Sequence, residues 1–314
     1  MKPEILVLGT IWSPEVREQV QAAFECHFVS SIAEASGPGF EAIGPRIRAV
    51  LTSGTVGITP DLVAALPALE IVSVHGVGVD AVPLPLLAAR GIHVTNTPDV
   101  LTDDVADFAV LLLLAAVRRL PLLDRYVRDE RWPAKAPLTQ ARSLRGKVAG
   151  IVGFGRIGQA VANRLQGFGI EIRYYQRSAG PAPERRSESL LALAQESDML
   201  VLCMPGGAET TRMVGAEVFE ALGPEGTLVN IARGSVLDEA ALIAALESGR
   251  LGAAGLDVFE HEPQVPAALR ALDNVVLSPH VGSFTVEARR AMGRLAVANL
   301  TAHFAGEPLP TPVK

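Results

Sequence analysis

The amino-acid sequence predicts an α/β protein built from two doubly wound domains, and three observations support this fold class. The chain has 314 residues, which is the length of two domains at roughly 150 residues each. Its composition, with 49% hydrophobic and 20% charged residues, is that of a globular protein. Short apolar runs alternate with helical patterns twice along the chain, and such alternation requires crossover connections and parallel sheets.

The first alternation lies upstream of Leu101. Helical patterns separate its apolar runs, and the clearest of them cover residues 60–66 and 83–90. The strands predicted there are 5–9, 26–29, 49–53, 71–75 and 93–96. Because each helical segment is followed by a return to a strand, the sequence predicts a parallel sheet with helices on both faces.

A long apolar helix and a loop follow this first alternation. Thr102 has the pattern of a helix N-cap with acidic residues in the first turn, and we expect the helix to run over residues 101–119. Residues 132–146 are predicted to form a loop. The longest apolar run of the chain ends in this helix, at Val117, and is about half as long as a bilayer span requires. We therefore expect no membrane segment.

The second alternation begins at Lys147. Its predicted strands cover residues 148–152, 171–175, 199–204, 227–231, 254–258 and 275–277. An amphipathic helix over residues 285–304 then closes the chain. Six parallel strands with intervening helices match a complete doubly wound dinucleotide-binding domain.

Charge and cysteine content exclude several classes of function. The formal net charge is −6, so a nucleic-acid partner has no electrostatic basis. The two cysteines, Cys26 and Cys203, are too few for a disulfide framework or a cysteine zinc site, which favours a reducing compartment. We therefore expect a cytoplasmic protein without a metal site.

A glycine-rich turn opens the second alternation. Gly153, Gly155 and Gly158 lie between the strand that ends at Val152 and a helical stretch over residues 159–168. The first glycine permits a tight turn, the second lets the backbone approach a pyrophosphate, and the third lets helix and strand pack closely. The N–H groups at the helix N-terminus then bind the phosphates. This position in the alternation predicts a Rossmann-type dinucleotide site, which includes Arg156 and Ile157.

The end of the next strand selects the cofactor. An acidic residue there would bind the ribose 2′-hydroxyl of NAD, but the strand ends at Tyr175 and its acid, Glu171, lies at its start. Arg177 and Ser178 lie instead where a 2′-phosphate would be, and arginine binds phosphate through charge-assisted hydrogen bonds. The alternative is a solvated loop arginine. NADP is thus favoured over NAD.

Three polar residues follow apolar strands of the second alternation: Arg233, Glu262 and His280. Because the carboxyl ends of parallel strands border the ligand crevice, we expect these side chains to converge. Reduction of a 2-oxo acid needs a cation for the substrate, a proton donor, and a group that keeps the donor charged. Arginine, histidine and glutamate supply these three functions. Taken singly, Glu262 could be a solvated loop acid and His280 a strand-end histidine.

These motifs together resemble the D-isomer-specific 2-hydroxyacid dehydrogenases over essentially the whole chain. Besides the glycine turn, the resemblance rests on residues 230–234, 255–263 and 278–283. It implies that Arg233, Glu262 and His280 are catalytic and that Asp257 supports the nicotinamide. It also implies that backbone N–H groups of Val77 and Gly78 hold the substrate carboxylate, although residues 76–78 alone could be a glycine-rich strand exit. The further cofactor contacts expected are Pro205, Thr210, Ile231, Ala232 and Gly282.

Residues 75–80, 96–100 and 279–283 resemble the glyoxylate/hydroxypyruvate reductase branch, which commonly uses NADPH. In this branch the position of Trp132 lies near the substrate entrance on the dimer arm; an ordinary hydrophobic anchor is the alternative. The resemblance also implies a homodimer with helix 101–119 at its core. We expect a Rossmann-type dinucleotide-binding domain at 99–284, inserted into a flavodoxin-like substrate domain of residues 1–98 and 285–314.

The expected function is NAD(P)H-dependent reduction of a small 2-oxo acid to the D-2-hydroxy acid, with glyoxylate or hydroxypyruvate as the favoured substrate. NADP is the favoured cofactor, and use of NAD stays open. Two alternatives are an NAD-dependent D-2-hydroxyacid dehydrogenase of another substrate range and a dinucleotide-sensing, corepressor-like binding protein.

Overall fold

The structure is a computed structural model that describes residues 2–9, 13–37, 39–178 and 180–313. The chain divides into two compact units, one made of residues 1–101 and 284–314 and the other of residues 102–283. The second unit is therefore inserted between two pieces of the first.

The secondary structure alternates between strands and helices in both units. The strands are β1 (Glu4–Leu8), β2 (Glu25–Val29), β3 (Ala49–Ser53), β4 (Ile71–His75), β5 (His93–Thr95), β6 (Val148–Val152), β7 (Glu171–Tyr175), β8 (Met199–Leu202), β9 (Thr227–Asn230), β10 (Ala253–Leu256) and β11 (Val275–Leu277). The α-helices are α1 (Pro14–Ala23), α2 (Pro60–Ala64), α3 (Leu84–Ala89), α4 (Thr102–Val117), α5 (Leu120–Arg128), α6 (Arg156–Gln166), α7 (Leu190–Gln195), α8 (Ala216–Leu222), α9 (Glu239–Glu247), α10 (Ala267–Ala271) and α11 (Val286–Ala305).

The first unit contains a parallel sheet with the strand order β2-β1-β3-β4-β5. This is the flavodoxin-like order of doubly wound sheets. Successive side chains of a strand point to opposite faces, so Leu6 packs in one core and Ile5 and Val7 in another. The predicted fold class is confirmed for this unit.

The C-terminal segment completes the first unit. Helix α11 begins after Thr285, whose side chain accepts a backbone N–H of the first turn at 3.1 Å. It packs beside β4, where the Ser73 hydroxyl donates to the Ala296 carbonyl at 3.1 Å. After the helix, the Val313 N–H donates to the Val94 carbonyl at 2.8 Å. The last residues of the chain therefore hydrogen-bond to strand β5 of this sheet.

The second unit contains a parallel sheet with the order β11-β10-β9-β8-β6-β7. Helices α4 and α6 pack on one face, and α7 to α10 bury their apolar sides on the other. The strand that a Rossmann sheet places outside β7 is reduced to a bridge between Tyr174 and Arg186. The charged sequence around Arg186 explains this, because it offers no apolar run for a full strand. The fold class is confirmed here as well.

Three strands of the second unit are shorter than predicted. Strand β8 ends before Met204, β9 before Ile231 and β10 before Val258. All three residues are nevertheless buried, because they lie in turns beneath the carboxyl edge of the sheet. An apolar run indicates burial and not strand conformation. Because these turns are as buried as the strands that precede them, the apolar runs extend beyond the strand ends.

The long apolar helix also ends earlier than expected. Helix α4 ends at Val117, and Arg119 adopts a left-handed backbone with φ of 54° before helix α5 begins. Helix α5 is not among the elements predicted from the sequence, and its first turn contains Pro121. Proline is favourable there because its missing N–H is not needed in the first helical turn.

Across the described ranges, none of the helices combines the length and apolarity that a membrane span requires. Nor do the described residues bring together three or more His, Cys, Asp or Glu side chains that could hold a metal ion.

Candidate active site

The predicted site residues of the second unit lie in turns at the carboxyl edge of its sheet. The glycine turn follows β6, Arg233 follows β9, Asp257 follows β10 and His280 follows β11. Parallel strands end on the same side, so these turns border one edge.

Each glycine of the turn after β6 has a different surrounding. Gly153 has a left-handed φ of 90°, and a Cβ there would lie 2.7 Å from the Met204 nitrogen. A Cβ on Gly158 would lie 2.1 Å from the Gly153 carbonyl oxygen, so helix and turn pack without space for a side chain. Gly155 faces open space and is the N-cap of α6. The first and third glycines are needed for packing, and the second leaves the backbone accessible to a ligand.

The first residues of α6, Arg156 and Ile157, follow directly. A helix N-terminus offers unpaired N–H groups and the positive end of the helix dipole. This turn therefore presents donors to an anionic group beside an uncovered glycine, as a dinucleotide pyrophosphate requires.

The end of β7 carries the residues predicted for the 2′-phosphate. Arg177 and Ser178 are exposed, and the Arg177 guanidinium forms an ion pair with Glu209. A second guanidinium lies close by: Arg186 donates to the carbonyl oxygens of Gln176 and Arg177 at 2.9 and 3.2 Å. Neither Glu209 nor Arg186 is among the site residues predicted from the sequence.

The loop after β8 brings together two predicted cofactor contacts. The buried Thr210 hydroxyl donates to the Pro205 carbonyl at 2.9 Å and to that of Gly207 at 3.2 Å. The Thr211 hydroxyl donates to the same Gly207 oxygen at 2.9 Å. These bonds hold the loop that carries Glu209 in a defined conformation.

His280 and Glu262 form the central pair of the site. Nδ1 of His280 lies 2.7 Å from Oε2 of Glu262, and both side chains are about one-third exposed, at 33% and 28%. The other carboxylate oxygen of Glu262 accepts the Phe259 N–H at 3.1 Å. With the carboxylate ionised, Nδ1 carries the proton and Nε2 points to no acceptor among the described residues.

Burial would by itself raise the pKa of Glu262. The hydrogen bond from His280, the charge of that imidazole, the Phe259 N–H and the Arg233 charge together outweigh burial and bring the pKa below its ordinary value. Glu262 is therefore an anion at neutral pH, and it accepts the hydrogen bond from Nδ1 of its histidine partner.

Arg233 is presented by a turn with little freedom. The buried Asn230 side chain accepts the Ala232 N–H at 3.0 Å and donates to the Arg233 carbonyl at 2.9 Å. A Cβ on the next residue, Gly234, would lie 1.9 Å from the Phe259 carbonyl carbon. The turn after β9 is thus in backbone contact with the segment that leads to Glu262. Ile231 and Ala232 are buried in the same turn.

Asp257 organises the segment that carries His280. Its carboxylate accepts the Ser278 hydroxyl at 2.7 Å and the N–H groups of Val281 and Gly282 at 2.9 and 2.8 Å. Its carbonyl accepts the His280 N–H at 2.8 Å, and His280 has a left-handed φ of 56°. A buried carboxylate with several donors is well satisfied, so Asp257 fixes the histidine position. Its predicted contact with the nicotinamide stays a prediction.

Val77 and Gly78 lie in the first unit, after β4. The turn is held by Gly76, whose N–H donates to the Thr97 hydroxyl at 2.9 Å, and by Asn96, whose amide donates to the Val77 carbonyl at 2.8 Å. The N–H groups of Val77 and Gly78 themselves meet no acceptor within the described part of the chain. Two adjacent unpaired donors can bind a carboxylate.

Comparison with known proteins identifies the family. Residues 110–282 match the family model described as D-isomer specific 2-hydroxyacid dehydrogenase, NAD binding domain. The chain belongs to this family. A hydroxyphenylpyruvate reductase from Plectranthus scutellarioides is 51% identical over 268 residues, with 85% of each chain covered. A 2-ketogluconate reductase from Gluconobacter oxydans is 43% identical, with 99% of each chain covered.

Solved structures of this dehydrogenase family have the same fold. The NADPH-dependent glyoxylate/hydroxypyruvate reductase from Sinorhizobium meliloti, in complex with NADP and malonate, has a TM-score of 0.93 and 43% identity. That match covers 100% of this chain and 97% of the other. The predicted resemblance is therefore confirmed, including its reductase branch. The family dinucleotide fits this chain, because Gly155 faces open space at a helix N-terminus, while Gly153 and Gly158 leave no room for a side chain.

Some residues near the site could not be recognised from the sequence alone. Glu209 is 32 positions from Arg177, and only the adjacency of β7 and β8 around β6 makes them neighbours. Gly234 could have been recognised, since a glycine directly after a predicted catalytic arginine indicates a close backbone approach. Arg186 belongs to a polar stretch that resembles any solvated loop.

Proposed function

We propose that this protein reduces a small 2-oxo acid to the D-2-hydroxy acid with NADPH. The observation that carries the proposal is the contact between His280 and Glu262, at 2.7 Å, with Arg233 near enough for its charge to act on the carboxylate. A proton donor, its counter-ion and a cation are the groups that carbonyl reduction needs.

Each residue has one task in this reaction. When bound, the reduced nicotinamide supplies the hydride to C2 of the substrate. His280 holds a proton at Nε2 for the carbonyl oxygen, because Nδ1 is taken by Glu262. Glu262 accepts the Nδ1 hydrogen bond and is the counter-ion assigned to this proton donor, and Arg233 orients the substrate and polarises its carbonyl group. The unpaired N–H groups of Val77 and Gly78 are assigned to the substrate carboxylate.

Cofactor preference is assigned to the end of β7. The strand itself supplies no carboxylate to accept a ribose 2′-hydroxyl, since it ends in Tyr175 and is followed by Arg177 and Ser178. The relative from Sinorhizobium meliloti is NADPH-dependent and was solved with NADP. Both points support NADPH. Glyoxylate and hydroxypyruvate are the favoured substrates, because relatives acting on them share the fold and sequence.

The test follows loss of NADPH absorbance with a panel of glyoxylate, hydroxypyruvate, hydroxyphenylpyruvate and 2-ketogluconate, repeated with NADH. His280→Gln and Arg233→Ala should each lower kcat by about 100-fold or more, while NADPH affinity measured by fluorescence titration changes little. His27→Gln is the matched control, because His27 also pairs with a glutamate, Glu4, at 2.9 Å. Full turnover in both site variants would rule out the assigned roles. Binding of NADPH without turnover on any acid would favour a dinucleotide-sensing role.

We also propose a homodimer and a cytoplasmic location. Leu111 on α4, Leu120 and Val127 on α5, and Trp132 beyond it are exposed apolar side chains, and such residues commonly mark an interface. Most other apolar residues of α4 are buried within their own unit. Mass measurement in solution tests the dimer.

The cytoplasmic location is supported by the cysteines. The thiols of Cys26 and Cys203 are free, which is typical of a reducing compartment.

A further inference from the structure

Arg177, the cation assigned to the cofactor 2′-phosphate, forms an ion pair with Glu209. Arg177 is at the end of β7, and Glu209 lies in the loop after β8. Both side chains are largely exposed, at 63% and 73%. The same guanidinium therefore has a partner within the protein and is the proposed partner of an incoming phosphate.

Glu209 is held opposite Arg177 by its loop. The hydroxyls of Thr210 and Thr211, its two following neighbours, both bond to the Gly207 carbonyl. The Thr210 N–H donates to the same oxygen at 3.0 Å, which closes a tight turn around Glu209. The backbone of Glu209 is thus fixed at a position from which its carboxylate reaches the Arg177 guanidinium.

We infer that Glu209 sets the affinity for the 2′-phosphate by competing with it for Arg177, an inference that rests on the proposed use of NADPH. A phosphate monoester carries a charge of about −1.5 to −2 at neutral pH and binds arginine through two parallel hydrogen bonds. It must displace Glu209 from the guanidinium or share it, and in either arrangement the two anions repel each other. NADH has only a hydroxyl at this position, so it neither has to displace Glu209 nor is repelled by its charge.

The size of the effect follows from exposure. Charge interactions at a solvated surface change an equilibrium by about two- to tenfold. Glu209→Gln keeps the shape of the side chain and removes its charge. It should therefore tighten binding of 2′-phosphorylated ligands by about two- to tenfold and leave ligands without this phosphate unchanged.

The experiment measures Kd for 2′,5′-ADP and for 5′-AMP by calorimetry on the whole protein, and KM for NADPH and NADH. Glu209→Gln should lower Kd for 2′,5′-ADP and KM for NADPH, with the 5′-AMP and NADH values constant. The gain should shrink as salt is added, because exposed charges are screened. Glu220→Gln is the control, since Glu220 forms a similar exposed pair with Arg250. Arg250 precedes β10 and so lies at the amino-terminal ends of the strands, away from the carboxyl edge that carries the site.

Arg177→Ala separates this inference from the proposed function. If Arg177→Ala weakens the binding of 2′,5′-ADP but Glu209→Gln leaves it unchanged, the inference that Glu209 competes for Arg177 is wrong and the NADPH assignment stands. A higher Kd for 2′,5′-ADP in Glu209→Gln would also overturn the inference, because Glu209 would then be holding Arg177 in place for the phosphate. If neither substitution moves the 2′,5′-ADP affinity, the NADPH assignment to Arg177 fails as well.

Discussion

The contact between His280 and Glu262 makes a prediction about pH. Burial alone would raise the pKa of Glu262, but the hydrogen bond and charge of His280 bring it below its ordinary value, so the carboxylate stays ionised well into the acid range. For the wild type, kcat/KM for reduction should therefore persist as the pH falls and decline only when Glu262 is protonated. Glu262→Gln has no carboxylate to titrate, so its kcat/KM should be lower by about tenfold or more and should lack this acid limb.

The same comparison in the direction of oxidation serves as an internal check. Glu262→Gln should again lack the acid limb that comes from the carboxylate, because both directions use the same contact between His280 and Glu262. Both pH profiles are measured with Glu4→Gln as the control, since Glu4 pairs with His27 in the other unit. An acid limb that persists unchanged in Glu262→Gln would show that this carboxylate does not produce it.

At the scale of elements, the glycine turn separates packing from ligand binding. Gly155→Ala places a methyl group in open space at a backbone φ of −77°, which alanine adopts freely. It should leave Tm unchanged and weaken NADPH binding about tenfold or more, because the methyl group blocks the approach of the phosphates. Gly158→Ala forces a methyl group to within 2.1 Å of a carbonyl oxygen and should cost about 1–3 kcal/mol in the free energy of unfolding.

Thermal unfolding and fluorescence titration distinguish these outcomes. The expected result is one variant that is stable but binds poorly and another that is unstable. If both variants lose stability equally, the second glycine has a packing role that the open space around it does not indicate.

The elements also show where a sequence is informative. Strands β3 and β6 could be predicted to the residue, because turns or charged residues bound their apolar runs. Strands β8, β9 and β10 could not, because the turns after them are equally buried. The places of Arg233, Glu262 and His280 after β9, β10 and β11 could be predicted from strand ends, whereas the three hydrogen bonds by which Asp257 holds residues 278–282 required the fold. Sequence spacing predicts which edge a residue occupies, and side-chain partners follow only from tertiary structure.

At the scale of the molecule, an acidic protein is proposed to bind anionic ligands. The net charge of −6 disfavours long-range attraction of a 2-oxo acid or a dinucleotide. The proposed binding groups are short-range ones: Arg233, Arg177, the helix N-terminus at Gly155 and the N–H groups of Val77 and Gly78. Val77 and Gly78 belong to the first compact unit and the other groups to the second, and this membership makes the last prediction.

Residues 102–283 should fold alone and bind NADPH without reducing any 2-oxo acid. This unit has its own parallel sheet and a continuous apolar core, and the family model matches almost all of it. It contains the glycine turn, Arg177, and the triad of Arg233, Glu262 and His280, but it lacks Val77 and Gly78. Without the proposed carboxylate site, turnover should fall by a factor of about 1,000 or more, while the NADPH Kd stays within about tenfold of the whole chain. Denaturant unfolding, NADPH titration and the glyoxylate assay measure these three quantities. Substantial turnover by this fragment would show that the substrate carboxylate is bound entirely by the second unit.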